Sequence, residues 1–148
     1  MASPDGVSWY PSTKFRIPGE TTAKAPGLAH DDNKDTFFLA WVGGDQKLNI
    51  MQSNVANLNS WTTKHTTEDT SQHGVALAFI NPRLFVAWTG GDSKINVASS
   101  TNGGASWEKK VILNERSSAK PYLVHHKTND SLVLAWQGVG NNKLNFSE

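Results

Sequence analysis

The chain has 148 residues and a formal net charge of +1, from 14 Lys and Arg against 13 Asp and Glu. The basic residues are spread along the chain, which excludes the patch or stripe that binds nucleic acid or an anionic membrane, and no apolar run nears the ~20 residues that span a bilayer. Cysteine is absent, so no disulfide is available, and the abundant Gly, Asn, Ser and Thr suit many short strands joined by turns.

In chain order, the opening Met-Ala-Ser-Pro-Asp-Gly lacks the charged and apolar regions of a secretory leader. It fits a soluble protein, cytoplasmic or exported by a non-classical route, and the compartment is not legible in the sequence. Ser3-Pro-Asp-Gly-Val-Ser-Trp9 reads as a turn, and Trp9 to Phe15 as a strand. Three related segments follow: Phe38-Leu-Ala-Trp-Val-Gly-Gly-Asp-Gln-Lys-Leu-Asn49, Phe85-Val-Ala-Trp-Thr-Gly-Gly-Asp-Ser-Lys-Ile-Asn96 and Val133-Leu-Ala-Trp-Gln-Gly-Val-Gly-Asn-Asn-Lys-Leu-Asn145. Their tryptophans, Trp41, Trp88 and Trp136, are 47 and 48 residues apart, the third copy having one extra residue in its turn. The other three tryptophans mark a second recurring motif: the opening turn resembles Ser100-Thr-Asn-Gly-Gly-Ala-Ser-Trp107, and Ser53 to Trp61 is a worn copy. The chain is therefore one domain, 1–148, of three repeats at about 16–66, 67–113 and 114–148, with 1–15 belonging to the last.

Each repeat reads as four short strands. In the second, Gly74 to Phe79 is small and apolar, as a strand buried on both faces requires. Leu84 to Trp88 follows, then a Gly-Gly-Asp turn, then Lys94 to Ala98. Thr62 to Thr66 is the expected outer strand of the first repeat. Helical periodicity is nowhere sustained, and four strands in a period of the mid-forties is the signature of a β-propeller blade.

The Ser-x-Asp-x-Gly-x-x-Trp turn resembles the Asp-box of sialidases and related propellers, and the Ala-Trp-x-Gly-x-Asp-x-Lys-Leu-Asn run is similar to repeats of bacterial and fungal sialidase-like and lectin-like propeller proteins. The resemblance implies an all-β propeller whose Asp-box locks a turn on the face away from the ligand. Asp5 and Asn102 fit its acidic position, and the Trp61 copy lacks the acid.

With strands lettered a to d from the axis outward, the chain opens on a d strand, runs through two a-b-c-d sets and ends on a-b-c. The last blade lacks its outer strand, leaving an open edge, and a propeller needs at least four blades. The economical solution is a head-to-tail homodimer in which each chain lends its first strand to the other's last blade, giving six blades in total.

The b–c turns and d–a connections open on one face. There the repeats place Asp45, Lys47 and Asn49, then Asp92, Lys94 and Asn96, then Asn141, Lys143 and Asn145. The d–a connections add Glu20, Asp69 and Glu115, each eight residues before an inner-strand leucine. Arg116 and His73 stand nearby. A carboxylate, an amide, an ammonium and an aromatic ring in one groove equip it for a sugar, whose hydroxyls need donors and acceptors and whose C–H face packs on a ring. Trp41, Trp88 and Trp136 either fill the space between blades or present an edge to such a ligand, and the acids serve the turns or the ligand. The expected function is a lectin with several similar sites between blades, no cofactor and no metal. His30, His125 and His126 show no ligand spacing.

Two other classes compete. Phe15-Arg16-Ile-Pro18 matches a sialidase motif, and the chain has three arginines, Arg16, Arg83 and Arg116, but their places in the repeat frame differ. Only Tyr10 and Tyr122 offer a nucleophile, and neither lies near a recurring acid, so an enzyme is not expected. A non-catalytic interaction propeller, or an engineered fragment of one, is the third class.

Overall fold

The computed structural model describes residues 3, 5–8, 16–54, 60–140 and 142–148. Among these the chain forms eleven β-strands and no helix. The first sheet runs β1 (Gly27–Asp31), β2 (Thr36–Val42), β3 (Lys47–Asn54) and β4 (His65–Thr70). The second runs β5 (Val75–Ile80), β6 (Arg83–Thr89), β7 (Lys94–Ser100) and β8 (Glu108–Arg116), and the third β9 (Tyr122–His126), β10 (Ser131–Gln137) and β11 (Leu144–Ser147). In each sheet the strands pair antiparallel in chain order.

The register repeats with the sequence. Trp41 lies opposite Asn49, Trp88 opposite Asn96 and Trp136 opposite Asn145. Because side chains alternate across a strand, each sheet offers two faces. Phe38, Ala40, Val42, Leu48 and Ile50 of the first sheet pack against Leu77, Leu84, Val86 and Trp88 of the second. The opposite face of the second sheet, with Ala76, Ala87 and Ile95, packs against Leu123, Leu134 and Trp136 of the third. The sheets therefore stack in sequence order, and each large side chain buried between them contributes about 1.5–3 kcal/mol.

The expected first outer strand at Thr62 to Thr66 is displaced: Thr62 still donates its N–H to Gln52 O at 2.9 Å, but the paired strand is His65–Thr70. The strand expected at Trp9 to Phe15, like Tyr10 and Asn141, lies outside the described residues. The opening turn is held by Asp5, whose Oδ1 accepts from Ser3 Oγ and from the N–H groups of Val7 and Ser8 at 2.7–3.0 Å. Three donors on one carboxylate hold its pKa far below the usual range.

Candidate functional site

The β2–β3 turn is built by its own side chains. Gly43 N–H donates to Lys47 O at 2.9 Å and Gln46 N–H to Gly43 O at 3.0 Å, with Gln46 left-handed at φ 65°. Asp45 Oδ1 accepts from Lys47 N–H at 3.1 Å, and Asn49 Nδ2 donates to Lys47 O at 3.1 Å. A Cβ on Gly43 would stand 2.7 Å from Asp45 Oδ1 and 2.9 Å from Asn49 Nδ2, which is why glycine begins the turn. The β6–β7 turn repeats these hydrogen bonds with Gly90, Ser93, Asp92, Lys94 and Asn96, every hydrogen-bond distance within 0.1 Å. In the third sheet Asn145 Nδ2 donates to Lys143 O at 3.0 Å, and Gln137 Nε2 donates to Asn142 Oδ1.

Asn49 and Asn96, each 5% exposed, are thus committed to the turn; Asn49 Oδ1 also accepts from Thr66 Oγ1 at 2.7 Å. Lys47 pairs with Glu68 at 2.8 Å, which raises its pKa.

Two of the three recurring acids are not in a connection. Glu20 precedes β1, whereas Asp69 and Glu115 lie inside β4 and β8. The cause is a bulge that local pattern does not announce. Lys47 and Asn49 pair with Thr70 and Thr66, and Lys94 and Asn96 with Arg116 and Ile112. Two residues of the inner strand thus face four of the outer one, and the outer strand bends there. The true connections are pinned by a recurring hydroxyl: Thr22 Oγ1 donates to Val42 O at 2.9 Å, and Ser71 Oγ to Thr89 O at 2.7 Å.

Two of the three acids meet a lysine at the start of the following outer strand, Glu20 with Lys64 just ahead of β4 and Asp69 with Lys110 in β8. Lys64 Nζ meets Glu20 Oε1 at 2.8 Å and Oε2 at 3.0 Å. Lys110 pairs with Asp69 and stands 5.3 Å above the ring of Trp88, in cation–π range. Neither lysine is evident from the turn motifs, although each stands three residues after its motif tryptophan, Trp61 or Trp107. Glu115 is exposed. Arg116 Nη1 donates to Asp92 O at 2.6 Å. His73, half-buried beside β5, has its pKa lowered by burial and then by Lys24.

Trp88 and Trp136 lie between sheets, and Trp41 lies on the outer face of the first: Trp41 is 3%, Trp88 2% and Trp136 6% exposed. Among the described residues the indole N–H groups of Trp41 and Trp136 are buried without a hydrogen-bond partner. Two clefts meet at Glu20. A polar one of about 250 Å³ is lined by Glu20, Asp45, Asn49, Lys64 and Thr66, and an apolar one of about 480 Å³ by Arg16, Ile17, Pro18, Leu39 and Trp41. At Trp88 the equivalent groove is filled by Ala40, Leu48 and Ile50, with about 10 Å³ left. A larger cleft, about 590 Å³, opens at the other end of the first two sheets, among Phe38, Gln52, Trp61 and the Asp-box residues Ser100 and Asn102, away from the recurring Asp, Lys and Asn of the β2–β3 and β6–β7 turns. The recurrence, not the volume, identifies the candidate site.

The arrangement can offer a sugar two carboxylates, an ammonium and hydroxyls beside an apolar wall. Neither a known protein family nor any curated protein matches the chain. In fold it is similar to a mutant of the Aleuria aurantia lectin, a β-propeller protein solved in complex with alpha-methyl-L-fucoside. The TM-score is 0.53 at 13% identity, over 87% of this chain and 46% of that one, so the chain spans about half that lectin's length.

Proposed function

We propose that the chain is a carbohydrate-binding protein, a lectin, with similar sugar stations where neighbouring sheets meet. The carrying observation is that an acid, a lysine at the start of the following outer strand and a tryptophan come together twice, as Glu20, Lys64 and Trp41 and as Asp69, Lys110 and Trp88. Glu115 and Trp136 begin a third such station. Asp45 and Asp92, each with one oxygen on its turn, offer the other to a ligand, while Asn49, Asn96 and Asn145 are framework. Lys47, Lys94, Lys143, Arg116 and His73 line the same face and vary the stations. The similarity in fold to a lectin solved in complex with a fucoside supports this reading. Several weak stations on one rigid body give avidity on a surface of many glycans.

The same repeat supports a six-bladed ring of two chains, the segment at Trp9 to Phe15 of one pairing with the free edge of β11 in the other. We read the chain as non-enzymatic. Its arginines do not converge: Arg83 reaches Glu108 at 3.5 Å, Arg116 lies on the β6–β7 turn, and Arg16 lies beside Trp41.

The test is a glycan array followed by calorimetry, with alpha-methyl-L-fucoside as the first probe. The expected result is a defined sugar bound at about millimolar Kd or tighter, about −4 kcal/mol. An array without binding, with the protein folded, rejects the reading; turnover of a sialoside would favour the glycosidase instead.

A further inference from the structure

The grooves at Trp41 and Trp88 differ in one respect. At Trp88, Ala40, Leu48 and Ile50 of the preceding sheet fill the space. At Trp41 a groove of about 480 Å³ stands open, because among the described residues no sheet packs on that face of the first. The filling face exists at the other end of the molecule. In the register of the third sheet, Ala135, Leu144 and Phe146 take the places of Ala40, Leu48 and Ile50, since Ala40 pairs with Ile50 and Val42 with Leu48, as Ala135 pairs with Phe146 and Gln137 with Leu144.

Leu144 is 84% and Phe146 79% exposed, whereas Leu48 and Ile50 are 4% and 1%. Tyr122 and Val124 extend this face at 66% and 58%, where the second sheet buries Ala76 and Ala78. On the seat side, Leu28 is 60% exposed, while its repeat mate Leu77 is 5%. A contiguous exposed apolar face is a contact surface, and here its complement is visible twice inside the same chain.

We infer that the groove beside Trp41 is the seat of the third sheet of a second copy of this chain, so that the station at Glu20, Lys64 and Trp41 is complete only between copies. The two faces are different surfaces, so the contact is head to tail and repeats until the ring closes. A second wall would close the apolar cleft over Leu39 and Leu28 and leave the Glu20–Lys64 rim open beside it. The free edge of β11 gains an outer strand in the same step. The station part of this inference rests on the carbohydrate reading; the docking part does not.

The experiment uses the full chain and two blocked variants, L144D/F146D on the third sheet and L28D on the first. All three replaced side chains are at least 60% exposed in the single chain, so folding, read by circular dichroism, is expected to persist. Native mass spectrometry is expected to give twice the 16.2 kDa chain mass for the wild type and the single-chain mass for each variant alone. Mixing the two variants restores the pair, because each retains the face the other has lost, whereas a contact between identical faces would not be rescued in this way. Calorimetry with the sugar found on the array is expected to show fewer sites per chain in L144D/F146D. A wild type at single-chain mass at micromolar concentration, or L144D/F146D at pair mass, overturns the docking. Pair mass with an unchanged number of sites in L144D/F146D overturns the shared station. A wild-type pair that binds no glycan upholds the docking and overturns the carbohydrate reading.

Discussion

Lys64 and Asn96 both lie near the recurring turns, and their environments assign them opposite work. Lys64 and Glu20 keep 38% and 21% of their side chains exposed, and an ion pair so placed adds about 0–1 kcal/mol to stability. Lys64→Met is therefore expected to leave thermal unfolding nearly unchanged while weakening sugar binding about ten-fold or more, the value of a charged hydrogen bond. Asn96 is buried and donates to Lys94 O. Asn96→Ala should destabilise the chain by about 1–3 kcal/mol in urea unfolding and leave the intrinsic affinity of the folded stations largely intact. His73 gives a pH signature. Burial and Lys24 keep its folded pKa below the ordinary 6.5, so the unfolded chain binds the proton more readily. Its contribution is present above pH 6.5 and declines as the pH falls below it, toward the depressed folded pKa. His73→Gln should flatten that part of a stability–pH profile.

At the scale of elements, the middle strands were legible because their residues alternate between two buried faces. β6 runs Arg83–Thr89 and β7 Lys94–Ser100, each within two residues of the expected bounds. The Gly-Gly-Asp turn was legible too, because its chemistry is local. The outer strands were not. β8 is exposed at eight of its nine positions, so no apolar period marks its ends, and its bulge depends on pairing with β7. Asp69 and Glu115 consequently read as connector residues, and Lys64 and Lys110 as two charges among many on solvated strands. The connector hydroxyls escaped notice for a similar reason, since Thr22 and Ser71 differ in type and reveal their common role only through contacts. Ser71 is 1% exposed, donates to Thr89 O and accepts from His73 N–H at 3.0 Å. Ser71→Ala leaves both groups unpaired and should cost about 1–3 kcal/mol, read as a lower urea midpoint with an unchanged slope.

For the whole molecule, stacking explains both stability and incompleteness. Trp88 sits in the core between the first two sheets at 2% exposure, and Trp88→Ala should cost about 3–5 kcal/mol. The same stacking leaves apolar faces at both ends of the described chain, whereas the sequence announced only the open strand edge and the shortage of blades. The site was legible only in part. Repetition located the polar rim, but which side chains hold the turn and which face outward depends on tertiary contacts such as Asn49 with Thr66. The most direct test of the account is a calorimetric titration of the wild-type chain with the sugar selected on a glycan array, repeated on Lys64→Met. Saturable binding with more than one site per chain, weakened or reduced in number by the substitution, is the predicted result. An unchanged titration in Lys64→Met, or no heat from any arrayed sugar, would contradict it.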